Sequence, residues 1–233
     1  MKKSGRRRKG RKIGLVLMLV LVIAAAGGTA FLTLQQVGVL RKETEKILAL
    51  DVETEELDTE VHAKGNYGTV EETIKDYMGE YVLSLRTIKT LFQDEDFAAL
   101  LSVDNIQEDG PAFTQSLQYL QEKEETAEEA FTQLESLAEE EQILEAIEGK
   151  GLNGYFQKLY RTQMLENLQS GFMYSKEEIQ AARETVNNSI TARREAINFL
   201  AENQDNWKLE DGKLKFDSNS LLKQYNELAE AIS

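Results

Sequence analysis

Apolar residues fall along this chain in three patterns: one unbroken run, several stripes at three-to-four spacing, and one short alternation. The run covers Ile13 to Leu34, 22 residues without a charge, and no charged side chain follows it until Arg41. As a helix it extends about 33 Å, enough to cross a hydrocarbon core of roughly 30 Å. The pattern predicts a transmembrane helix over 13–34 acting as a signal anchor. The same residues also fit a cleavable secretory signal: a basic start, an apolar core Ile13 to Ile23, then small residues with Gly28 and Ala30 in small-x-small order. Apolar character resumes at Phe31, Leu32 and Leu34, which favours the anchor.

The stripes begin after a connector. Residues 35–68 read as a juxtamembrane helix to about Leu50, followed by an acidic stretch (Glu53, Glu55, Glu56, Asp58, Glu60) that ends in a turn at Gly65, Asn66 and Gly68. A helical domain is expected over 69–233. Thr69 and Glu72 have the spacing of a capping box, and Val70, Ile74, Tyr77, Tyr81, Leu85, Ile88 and Phe92 carry a helix to about residue 93. A short helix over Phe97 to Val103 and a loop over Asp104 to Gly110 come next. Pro111, the only proline, suits the first turn of a second long helix, since its missing N–H would be unpaired there. Phe113, Leu117, Leu120, Ala127, Phe131 and Leu134 mark its buried face.

A short helical piece over Glu139 to Glu148 stops at Gly149, Gly151 and Gly154. Tyr155, Phe156, Leu159, Tyr160, Leu165 and Leu168 outline another amphipathic segment, closed by Gly171. Ser175 and Glu178 form a second capping box ahead of a helix to about Glu202. The alternation lies in 207–216, where Asp211-Gly212 is a favoured pair for a tight hairpin turn. A two-residue loop sets Leu209 opposite Leu214 and Trp207 opposite Phe216, all on one face. Because an isolated hairpin is marginal in water, this face must lie on the helices. After a capping turn over Asp217 to Ser220, Leu221, Tyr225, Leu228 and Ile232 predict a final helix. The fold class is therefore all-α: one membrane helix, then a helical bundle with one small β-hairpin near the C-terminus.

Charge fixes the orientation. Eight of the 27 bases (Lys2, Lys3, Arg6, Arg7, Arg8, Lys9, Arg11, Lys12) lie in the tail 1–12 with no acid, so the rest carries 19 bases against all 41 acids, a balance of −22. Cationic flanks stay in the cytoplasm, which places 1–12 inside and the C-terminal domain outside the cell membrane, or secreted if the signal is cleaved. Such an acidic chain is not expected to bind nucleic acid.

Composition also limits the chemistry. Without Cys there is no disulfide framework or thiolate metal site, and the single His62 excludes metal sites needing two imidazoles. His62 reads as a surface residue of the connector. The Glu-rich run Glu122 to Glu129 reads as a solvated helix face, and 104–110 fails the calcium-loop pattern, with Ile106 at its third position and Asp109 where the turn glycine belongs. Gly149 to Gly154 joins helices and so reads as a helix stop, not a phosphate loop. Trp207, Tyr77, Tyr81, Tyr155, Tyr160 and Tyr225 are expected in the core, and Asn187-Asn188-Ser189 matches a glycosylation acceptor only by chance. No catalytic, cofactor-binding or metal-binding residue is nominated, no cofactor is implied, and an enzyme is not expected. In architecture the layout is similar to that of many bacterial envelope proteins, a similarity that assigns no residues. The expected function is a non-catalytic interaction or structural module of the cell envelope whose partners are the bilayer and another envelope protein. The alternative is a small-ligand sensor or solute-binding bundle signalling through a partner.

Overall fold

A computed structural model describes residues 29–232. The chain is mostly helical, with one two-stranded antiparallel hairpin near the C-terminus. Helix α1 spans Thr29–Ala49 and α2 spans Asn66–Gln93. Two short helices follow, α3 (Glu95–Ala99) and α4 (Val103–Asp109), then the long α5 (Thr114–Leu137) and the short α6 (Glu140–Glu145). Helix α7 (Gly154–Arg161) continues without a break into a π-helical segment, Thr162–Gln169. Helix α8 (Lys176–Glu202) leads through a 3₁₀ turn to β1 (Trp207–Glu210), β2 (Lys213–Phe216) and α9 (Asn219–Glu230).

Helix α5 is the central post, packed against α2 on one side and α8 on the other. It runs antiparallel to α2: the Tyr77 hydroxyl donates to the Leu137 carbonyl at one level, and Lys123 pairs with Asp94 at 2.6 Å at the other. It is also antiparallel to α8, with Arg183 on Glu135 and Arg194 on Glu124. The core between them holds Val70, Ile74, Met78 and Tyr81 from α2, Leu120, Phe131 and Leu134 from α5, and Ile190, Ile197 and Leu200 from α8. Each such side chain contributes about 1.5–3 kcal/mol by leaving water.

Helix α1 belongs to this core. Leu40 and Ile47 are 1% and 2% exposed, so the segment expected to be a juxtamembrane extension outside the packed domain is one of its structural members. The domain therefore begins at α1 and not near Thr69. Residues 50–65 are likewise strapped down: Arg86 donates to the carbonyls of Val52 and Glu55, and Lys75 donates to that of Glu60. Of the predicted membrane span 13–34, positions 13–28 lie outside the described residues, as does the basic tail. Among the described residues no helix is long and apolar enough to cross a membrane.

Three helix starts depart from expectation for physical reasons. Gly65, with φ of 59°, turns the chain early enough that α2 starts at Asn66, which moves Thr69 into the helix; it forms no capping box. Helix α5 starts at Thr114, three residues beyond Pro111, because the Asp109 carboxylate accepts the N–H groups of Gln115 and Ser116 and caps it there. Phe113 before it is left-handed, with φ of 53°, and completely buried. The expected loop 104–110 is instead α4, capped by Ser102, whose hydroxyl accepts from the Asn105 N–H. The second capping box forms as predicted: Ser175 and Glu178 bond reciprocally at 3.2 and 2.8 Å.

The hairpin also has its predicted register, with Trp207 opposite Phe216 and Leu209 opposite Leu214. Asp211 and Gly212 both take positive φ, 52° and 68°, as a turn matched to strand twist requires.

Candidate functional site

The most unusual chemistry lies where α1, the connector and α2 meet. Lys75 is 2% exposed at its side chain, an ammonium with almost no access to water. It sits one turn beyond Glu71 on the inner face of α2, and its Nζ lies 3.0 Å from Glu71 Oε1 and 2.9 Å from Glu43 Oε2 of α1. Glu71 spends its remaining acceptor capacity on the connector, taking the backbone N–H of His62 and, at 2.6 Å, that of Ala63. One buried Lys between two buried carboxylates thus joins three chain segments.

A more exposed layer covers this pair of contacts. The His62 Nε2 lies 3.2 Å from Asp58 Oδ2 and 3.7 Å from Glu43 Oε2, and Lys46 reaches Glu43 at 2.8 Å and Asp58 at 3.3 Å. Burial pushes the Glu43 carboxyl up, but hydrogen bonds from Lys46 and Lys75 outweigh it and hold the group below its ordinary value. Asp58 is held well below the carboxylate range, first by its hydrogen bond with His62 and then by the Glu60 N–H. Lys46 is raised, chiefly by its bond to Glu43.

Glu43, Asp58 and His62 place three ligand-type atoms within 4.8 Å of one another. The sequence did not suggest this grouping, since Glu43 lies on a helix read as separate from the connector. Both carboxylates are already paired with ammonium groups, so an added cation has to displace Lys46 or compete with Lys75. The arrangement is a clasp in which Lys46 and Lys75 help hold the Glu43 and Asp58 carboxyls below their ordinary values.

Elsewhere, a cleft of about 870 Å³ opens between α5 and α8, lined in part by Gln121, Glu125, Glu128, Glu129 and Asn187. Helices α2 and α8 both pack on α5, which lies between them. Trp207 is half-buried, its ring 6.3 Å from that of Phe113 and its Nε1 donating to the Leu200 carbonyl at 2.7 Å; it closes the hairpin onto the helices as expected. Tyr77, Tyr81 and Tyr160 are buried, and burial raises all three hydroxyls, Tyr81 to about 12. Tyr155 departs from the group, being 44% exposed and stacked edge-on with Tyr67 and Phe156 at the surface. Comparison with family models, curated proteins and solved structures found no match.

Proposed function

We propose that this protein is a membrane-anchored, non-catalytic module of the cell envelope, with its tail 1–12 in the cytoplasm and its helical domain outside. The observation that supports this reading most is the continuity of α1. Its first residues, 29–34, belong to the apolar run, and its later residues, Leu40 and Ile47, belong to the domain core. From Leu34 to Leu40 a helix rises only about 9 Å. The tether is thus a rigid part of the folded unit, holding the domain at a set distance above the bilayer. A leash of the kind that lets a domain search for soluble substrates is not what α1 provides. The far ends of α5 and α8, with the hairpin, then face away from the membrane toward an envelope partner.

The test has two parts. A reporter active only outside the cytoplasm, fused after Ser233, should be active in the full chain, and neutralising the eight bases of the tail should lower or scramble that activity. Crosslinking and pull-down from detergent-solubilised membranes should recover a stoichiometric partner. An inactive reporter on a well-expressed fusion refutes the topology. A second reading, a small-ligand sensor, draws on the α5–α8 cleft, and a ligand-dependent thermal shift of the full chain would favour it.

A further inference from the structure

Charge is distributed unevenly over this acidic domain, and the unevenness has a location. The Lys64 backbone N–H donates to the Gln36 side chain at 2.7 Å, which sets the start of α2 level with the first turns of α1. Tyr67, the second residue of α2, lies 4.9 Å from Phe156 and 6.4 Å from Tyr155 between ring centroids, so the start of α7 reaches the same end. Leu34, Lys64, Tyr155, Lys150 and Lys158 are all exposed there.

The three segments that build this end, 33–42, 61–70 and 149–158, contain Arg41, Lys42, Lys64, Lys150 and Lys158 and not one acid. In the rest of the domain surplus carboxylates pair most of the cations; here, among the described residues, Lys42, Lys64, Lys150 and Lys158 make no ion pair. Of the five lysines without an ion pair among the described residues only Lys213 lies outside these segments, and Lys64, Lys150 and Lys158 are each within five positions of Tyr67 or Tyr155. The Tyr67 and Tyr155 hydroxyls approach to 3.4 Å, a polar tip on an apolar body.

The geometry points to a second membrane contact: the end face formed by Tyr67, Tyr155 and Phe156, ringed by Lys64, Lys150 and Lys158, rests on the anionic headgroups of a lipid bilayer. Residues 1–28 enter the domain at this same end through α1, and the apolar run ends at Leu34, so Gln36 and its neighbours come level with the headgroup layer, within about 3 Å of the end of the span. Tyr side chains collect at that depth because their rings tolerate the acyl boundary while the hydroxyl stays wet. Lysines within a Debye length of anionic lipid each improve partition by about fivefold. The face would fix rotation of the domain about α1, which a single helix leaves free. This inference rests on the tethered reading.

The experiment uses the full chain in vesicles of phosphatidylcholine and phosphatidylglycerol with brominated acyl chains. Tyr155→Trp adds a reporter at the face, and native Trp207 at the opposite end is the internal reference. The added emission should shift to the blue and lose most of its intensity to bromine, while Trp207 emission stays unchanged. Lys64→Glu/Lys150→Glu/Lys158→Glu, all exposed positions, should abolish the quenching at an unaltered melting temperature. Emission at position 155 as insensitive as that of Trp207, in protein that stays with the vesicles through a high-salt wash, overturns the face and leaves the tether standing. Release of the protein by that wash overturns both. Shielding seen only when envelope proteins are added, and never with lipid alone, overturns the lipid contact and makes the face a protein-docking surface.

Discussion

The two ends of this bundle are closed by opposite means. At the α1 end, Glu43, Glu71 and Lys75 are buried and mutually paired, and the helices they join pack through nearly inaccessible side chains. At the hairpin end, among the described residues, no ion pair is buried: Trp207, Leu209, Leu214, Phe216 and Tyr225 lie against the helices half-covered, and α9 buries no residue completely. The rings there do the joining, Phe216 at 5.4 Å from Tyr225 and Phe199 at 6.2 Å from Phe216. Buried charge is unforgiving of loss but fixes register, since each carboxylate must meet its ammonium. Half-buried aromatics forgive small shifts and open at low cost. The lesson is that rigidity is placed at the α1 end and compliance at the hairpin end.

Breaking the clasp should give the largest effect. Lys75→Met leaves two carboxylates buried without their cation, an expected loss of about 3–5 kcal/mol, or roughly 10 °C in melting temperature. Replacing Glu43, Glu71 and Lys75 together by apolar residues of similar volume should recover most of that loss, because the penalty lies in the unpaired charge. If the single and triple variants melt alike, the charges are not what holds this end.

Next in size is Leu40→Ala in α1. Its cavity in a packed core should cost about 2–5 kcal/mol in chemical denaturation. A linker residue would cost almost nothing, so the value separates a core helix from an extension.

At the compliant end, Trp207→Ala should cost less, about 1–3 kcal/mol, since the ring is half-exposed although its Nε1 loses the Leu200 carbonyl. Hydrogen exchange of β1, β2 and α9 should speed up while α2 amides stay protected. Uniform acceleration would mean that the two ends are not independent. Gly212→Ala, at φ of 68°, should cost about 1 kcal/mol in the same local manner.

The smallest effect is the acid limb of stability. Asp58 and Glu43 titrate lower when folded than when unfolded, so their contribution is complete above the ordinary carboxylate range and drains away as pH falls below about 4. Asp58→Asn should lower the melting temperature slightly at neutral pH and converge with the native protein in acid, flattening the fall over that range. An unchanged acid limb would remove Asp58 from the clasp's electrostatics.

How much of this was legible beforehand follows from the range of the interactions. The hairpin register, the Ser175 cap and the apolar stripes of α2, α5 and α8 depend on neighbours within a few positions, and the sequence displays them directly. The start of α5 does not: it depends on Asp109 reaching forward to Gln115 and Ser116, a competitor that Pro111 conceals. The clasp was hidden for a stronger reason. Glu43 and Lys75 are 32 positions apart, and each looks like an ordinary surface charge on its own helix. Tyr155 sits on an apolar stripe yet faces outward, because the stripe of α7 ends at the rim of the domain and not inside it. The acid-free segments were present in the sequence, but their meeting at one end is a property of the fold.

Native-state hydrogen exchange of the full chain in vesicles is the direct test of whether α1 and the rest of the domain are one body. Amides of residues 40–48 should exchange as slowly as those of α2, through global unfolding only, and Lys75→Met should accelerate both sets together. Exchange of 40–48 at the rate of an exposed linker, beside a protected α2, would show that α1 is a leash and that the domain is free to turn above the membrane.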